Sequence, residues 1–125
     1  MKEYKEIQVA LLGLGTVGLG VYKVLQMQKE EMQHKIGTEI KIKKILVRNL
    51  EKAAGKIEDA SVLTDSWQEI VNDDEIQIVI EVMGGMEPAR TYIMEAMQAG
   101  KQVVTANKDL IAADGKELMD QAKKS

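Results

Sequence analysis

A chain of 125 residues with 45% hydrophobic and 30% charged content has room for one hydrophobic core and shows no disorder signature. Its formal net charge of −3 speaks against a nucleic-acid partner, which would require clustered Lys and Arg; the short run Lys41, Lys43, Lys44 does not supply one. The absence of Cys excludes disulfides, thiolate chemistry and cysteine-bound zinc. No segment has the apolar core of a signal peptide or approaches the roughly 20 apolar residues that span a bilayer, so a soluble cytoplasmic protein with no membrane partner is expected.

With no Phe and eight Met, the core must be aliphatic. Residues 7–12 are a nearly continuous apolar run ended by Gly13, as expected for a strand buried on both faces. Val17, Val21, Val24, Leu25 and Met32 then recur at helical spacing, with Lys23, Gln26, Lys29, Glu30 and Gln33 opposite and Gly37 as the close. Residues 39–48 read as a second strand, followed by a short helix around 51–55 and a short strand near Val62. Ser66 with Glu69 three residues on has the pattern of a capping box, starting a helix that turns Trp67, Ile70 and Val71 inward. A strand over residues 77–83 is halted by Gly84-Gly85, and Pro88 stands where the first turn of a helix tolerates it. Ala89, Ile93, Ala96 and Met97 continue that helix to Gly100. Residues 102–105 form a short strand, and Leu110, Ile111, Leu118, Met119 and Ala122 mark a last helix. The alternation predicts an α/β, Rossmann-like doubly wound parallel sheet, one domain over residues 1–125. No further strand follows the last helix, so the expectation is a cofactor domain truncated before a substrate domain.

The loop Gly13-Leu14-Gly15-Thr16-Val17-Gly18 leaves a buried strand and opens an amphipathic helix. In a dinucleotide fingerprint the first glycine permits the tight turn, the second lets backbone approach the pyrophosphate, and the third allows close packing of helix on strand. The helix N-terminus adds unpaired N–H groups and a partial positive charge. Read for structure alone, the same glycines make a turn.

Counting about 20 residues beyond the loop nominates Glu39 as the acid that would bind the ribose of NAD. Glu39 begins its strand, however, and the ribose lies at the strand's carboxyl end, where Arg48 stands. A guanidinium there suits the 2′-phosphate of NADP, so NADP is the expected cofactor, with NAD the alternative and a merely solvated Arg48 the plain reading. Two further strand ends border the same cleft. Gly84 and Gly85 would let backbone pass close to the nicotinamide ribose, and Thr105, Asn107 and Lys108 follow the next strand. Lys108 is a candidate catalytic cation, placed to hold the substrate or a developing oxyanion, or else a solvated first-turn lysine. Glu81 is a ribose or substrate contact, or a capping or packing group. Trp67 reads as core and the single His34 as surface, and no His and carboxylate set has metal-ligand spacing.

Three segments together resemble the N-terminal cofactor domain of homoserine dehydrogenases: residues 9–18 (VALLGLGTVG), 81–89 (EVMGGMEPA) and 103–108 (VVTANK). The resemblance implies hydride transfer between aspartate 4-semialdehyde and homoserine with NADPH or NADH, on the route to threonine and methionine. It implies that residues 13–18 hold the pyrophosphate, that Arg48 selects the adenosine end, and that Gly84, Gly85, Thr105, Asn107 and Lys108 border the nicotinamide. The remaining substrate and acid–base residues would lie on a following domain, in a parent enzyme that is a homo-oligomer, and the present chain alone would bind cofactor without turnover. A different amino-acid dehydrogenase and a nucleotide-sensing regulatory module are the competing readings.

Overall fold

The computed structural model describes the backbone of residues 5–36, 38–105 and 107–124, and the side-chain surroundings of 6–27, 40–105, 107 and 115–124. Five strands, β1 (Lys5–Leu12), β2 (Thr38–Leu46), β3 (Leu63–Thr64), β4 (Ile76–Glu81) and β5 (Gln102–Thr105), form one parallel sheet in the order β3-β2-β1-β4-β5. The helices α1 (Thr16–Ile36), α2 (Leu50–Ala54), α3 (Trp67–Val71), α4 (Ala89–Gln98) and α5 (Lys108–Lys124) alternate with them. This is the expected doubly wound arrangement. The reversal of strand order lies between β1 and β4, so the cleft opens at their carboxyl ends.

Each sheet face carries its own apolar layer, which is why the central strands are apolar at consecutive positions. Leu11, Ile42 and Ile45 face α1 and α2, where Leu19, Val21, Tyr22, Leu25 and Ala53 cover them. Ala10, Leu12, Leu46 and Val79 face the other side, against Trp67 and Ile70 of α3 and Ala96 of α4. Leu118 of α5 packs on Ala89, Ile93 and Met97 of α4. At the far end of the sheet the buried Lys101 donates to the carbonyls of Asp73 (2.6 Å) and Ile76 (2.8 Å), pinning the start of β5 to the start of β4. Burial pushes its ammonium pKa down, against the attraction of nearby Asp73.

Three local expectations need correction. The inward face of α1 is Gly18, Leu19, Val21, Tyr22 and Leu25, whereas Val17 and Val24 are 59% and 50% exposed. The helix is phased by the contact Gly18 makes with the preceding loop, and that phase turns Val17 and Val24 outward and brings Tyr22 in. Met32 and His34 lie outside the residues whose side chains are described. The capping box does not form: Ser66 begins α3 without a side-chain cap bond. Thr64 at the end of β3 takes its place, accepting from the Ser66 N–H (3.1 Å) and donating to the Glu69 carboxylate (2.9 Å). Finally, β4 stops at Glu81 rather than Met83, because the Met83 N–H turns back to the Glu81 carboxylate (2.8 Å) instead of joining the ladder.

Candidate functional site

The loop between β1 and α1 shows what each glycine does. Gly13 has φ +104°, a conformation that favours glycine, and its N–H donates to the Leu46 carbonyl (2.9 Å), tying the turn to the end of β2. A Cβ on Gly18 would be driven into the backbone of Gly13, with the Gly13 carbonyl carbon at 3.0 Å and Val82 Cγ2 at 3.2 Å. A Cβ on Gly15 would meet nothing within 4 Å. The first glycine is therefore required by backbone conformation and the third by packing. The second is required by neither, and its exposed backbone leaves room for a ligand. Leu14 is buried under the loop, while Thr16 and Val17 are exposed at the start of α1. The first intrahelical bond runs from Leu19 N to the Gly15 carbonyl (2.8 Å), and no acidic residue occupies the first turn. The N–H groups of the first turn thus have no helical partner and no competing anion, the arrangement that receives a phosphate.

Beside this loop lies a cleft of about 660 Å³ lined by Gly13, Gly15, Arg48, Lys52, Lys56 and Tyr92, among others. A larger recess of about 820 Å³, between α1 and residues 55–62, lies away from the carboxyl ends of the strands and includes none of the glycine loop. The smaller cleft is the one the topology designates for a ligand. Arg48 is exposed two residues past the end of β2 and lines it. Glu39, by contrast, pairs with Glu6 near the opposite end of the sheet, away from this cleft.

Lys52 and Lys56 escaped the sequence reading. The Asn49 side chain caps α2 by accepting from the Lys52 N–H (3.0 Å), which sets the helix with its lysines along the cleft. The Lys56 ammonium donates to the Leu14 carbonyl (3.0 Å), bringing a third cation to the glycine loop. The available signal was Asn49 as an N-cap, which fixes α2 and places Lys52 and Lys56 one turn apart on it and just beyond.

Beyond the residues that line this cleft, in the loop after β4, Gly84 and Gly85 are exposed with φ +77° and +74°, and a Cβ on either would meet nothing within 4 Å. Thr105, the last residue of β5, accepts from the Asn107 N–H (3.1 Å), and the buried Asn107 side chain donates to the Gly85 carbonyl (2.5 Å). Gly84, Gly85, Thr105 and Asn107 are thereby brought together as one rim. Lys108 is the first residue of α5 on that rim; its side chain, like Ala106, lies outside the described residues. Glu81 is fully buried beneath the rim and is not a cleft-lining group.

Residues 13–125 match the family model described as homoserine dehydrogenase, NAD binding domain. The chain belongs to this family. It is 44% identical over 121 residues to the homoserine dehydrogenase of Bacillus subtilis, matching 97% of this chain and 28% of the relative. Among solved structures, a homoserine dehydrogenase from Thiobacillus denitrificans superposes with a TM-score of 0.89 at 44% identity, covering 99% of this chain and 28% of that one. A hyperthermophilic archaeal homoserine dehydrogenase in complex with NADPH superposes with a TM-score of 0.74 at 26% identity, over 95% of this chain and 41% of that one. The chain therefore spans about 28% of the length of the first two relatives, and what they share with it is the NAD(P)-binding domain. Among the described residues, no helix is long and apolar enough to cross a membrane.

Proposed function

We propose that the chain is a single cofactor-binding domain that takes NADP(H) in preference to NAD(H) and serves hydride transfer between aspartate 4-semialdehyde and homoserine within a longer enzyme. The observation that carries the preference is the cluster of Arg48, Lys52 and Lys56 lining the cleft, with Arg48 rather than an acid following β2; the acid that lines the same cleft, Asp65, follows β3. A bound nicotinamide cofactor supplies the hydride chemistry; the protein's residues bind and orient. The first-turn N–H groups of α1 hold the pyrophosphate, and Arg48 takes the 2′-phosphate in charge-assisted hydrogen bonds. The rim of Gly84, Gly85, Thr105 and Asn107 carries the nicotinamide ribose. Lys108 positions the substrate oxygen or stabilises negative charge developing on it. The substrate's other contacts, and the oligomeric contacts of the parent enzyme, come from the portion of the relatives that this chain does not span.

Bonds to charged groups contribute roughly 1.5–3 kcal/mol, or about 10- to 150-fold in affinity. Arg48→Ala is therefore expected to weaken NADPH binding by that factor while NADH binding stays within about twofold, as read by calorimetric titration. Equal losses for the two cofactors, or a wild-type chain that does not distinguish them, would remove Arg48 from this role.

A further inference from the structure

Glu81 is a charged residue type with no exposed surface and no place in the function described so far. It ends β4, in register with Thr105 at the end of β5, so both side chains stand on the same face of adjacent strands. Its two carboxylate oxygens serve different elements. Oε2 accepts from the N–H groups of Met83 (2.8 Å) and Gly84 (3.3 Å), in the loop that follows β4. Oε1 accepts from the Thr105 hydroxyl (2.6 Å). The same hydroxyl accepts from the Asn107 N–H, and the Asn107 side chain returns to the Gly85 carbonyl, closing a ring of hydrogen bonds through both loops.

From this ring we infer that Glu81 is a positioning residue: it sets the separation and orientation of the Gly84-Gly85 loop and the Thr105–Lys108 segment, and so shapes the nicotinamide half of the cleft without touching the ligand. The inference rests on the cofactor reading above. A carboxylate suits this position because all its partners are donors. Glutamine has the same shape but one acceptor oxygen. With that oxygen on the two loop amides, its NH₂ faces Thr105, whose hydroxyl must then accept from both sides and turn its proton away. With the amide flipped, the NH₂ confronts two N–H donors. The first arrangement keeps both loops but weakens the hold on β5, because Thr105 no longer donates into the side chain; the second loses the bonds to the two loop amides.

The part of the cleft lined by Gly13, Gly15, Arg48, Asn49, Lys52 and Lys56 comes from the loop after β1, the end of β2 and the α2 region and shares none of these bonds; Met83 is the cleft-lining residue that belongs to the ring. A ligand that carries only the adenosine end separates positioning from general instability. In calorimetric titrations, Glu81→Gln is expected to weaken NADPH by roughly tenfold, equivalent to about 1.4 kcal/mol, and to leave 2′,5′-ADP within about twofold of wild type. Thr105→Val keeps the side-chain shape, removes the hydroxyl, and should show the same selectivity even if Glu81→Gln does not fold. Unchanged NADPH binding in Thr105→Val, or parallel losses for both ligands, would overturn the positioning role. A wild-type chain that binds neither ligand would overturn the cofactor reading itself, and the brace with it.

Discussion

Replacing Gly18 with alanine is expected to cost the fold about 3 kcal/mol, the upper part of the range for forcing a methyl group into packed structure. The reason is the identity of the obstacle. A Cβ at this position meets the carbonyl group of Gly13, which is backbone in a turn held by the Gly13–Leu46 hydrogen bond and cannot rotate aside as a side chain would. Thermal unfolding should show a fall in Tm of roughly 10 °C. Gly15→Ala, three residues earlier, should do the reverse. Its Cβ enters open space, so Tm stays within a few degrees or rises slightly through the stiffer unfolded chain. NADPH affinity should nevertheless fall by roughly tenfold or more, because the methyl group occupies the approach of the pyrophosphate. Stability lost at Gly18 and binding lost at Gly15 would separate the packing glycine from the ligand glycine. A Gly15→Ala chain that binds NADPH normally would mean that the open space beside Gly15 is not the cofactor's.

The second large effect lies beneath the cleft wall. Trp67 is 6% exposed, stacks on Tyr92 with ring centroids 4.5 Å apart, and donates its indole N–H to the Glu95 carboxylate at 2.8 Å. Trp67→Ala is expected to cost about 3–5 kcal/mol, combining a cavity with the loss of the Glu95 partner. Trp67→Phe keeps a ring against Tyr92 and should lose only about 1–2 kcal/mol, mostly the indole hydrogen bond. Tyr92 lines the cleft beside the glycine loop, so the phenylalanine variant should retain NADPH binding. Urea denaturation of the two variants measures both losses. A cost below about 1 kcal/mol for Trp67→Ala would show that the α3–α4 layer is not fastened through this residue.

What was legible in the sequence follows the strength of the local physics. Apolar runs of strand length, two of them closed by glycine, alternating with helical spacing admit few arrangements besides a parallel wound sheet, and the structure shows one, in the order β3-β2-β1-β4-β5. Gly13 and Gly18 were legible because conformation requires the one and packing the other, at a fixed offset, whereas Gly15 stands beside open space. The phase of α1 was not: Val17 and Tyr22 are both acceptable on an inward face by hydropathy, and only the approach of Gly18 to Gly13 decides between them. The capping of α3 was missed for a similar reason, since Thr64 is near Ser66 only once β3 has joined the sheet. Lys52 and Lys56 look like ordinary helix-surface lysines until α2 is laid beside the glycine loop. Glu81, ambiguous as a strand-end acid, acquires its role from Thr105, which comes from a different strand.

The central claim is that the loop after β1 binds a dinucleotide, and the most direct measurement is a titration of the ¹⁵N-labelled chain with NADPH followed by amide NMR. Saturable shifts should appear at Gly13, Gly15, Thr16 and Gly18 and extend to Arg48 and to Gly84 and Gly85. Shifts confined to the recess around Tyr22, Ile57 and Val62, or no saturable shift in the glycine loop, would contradict it.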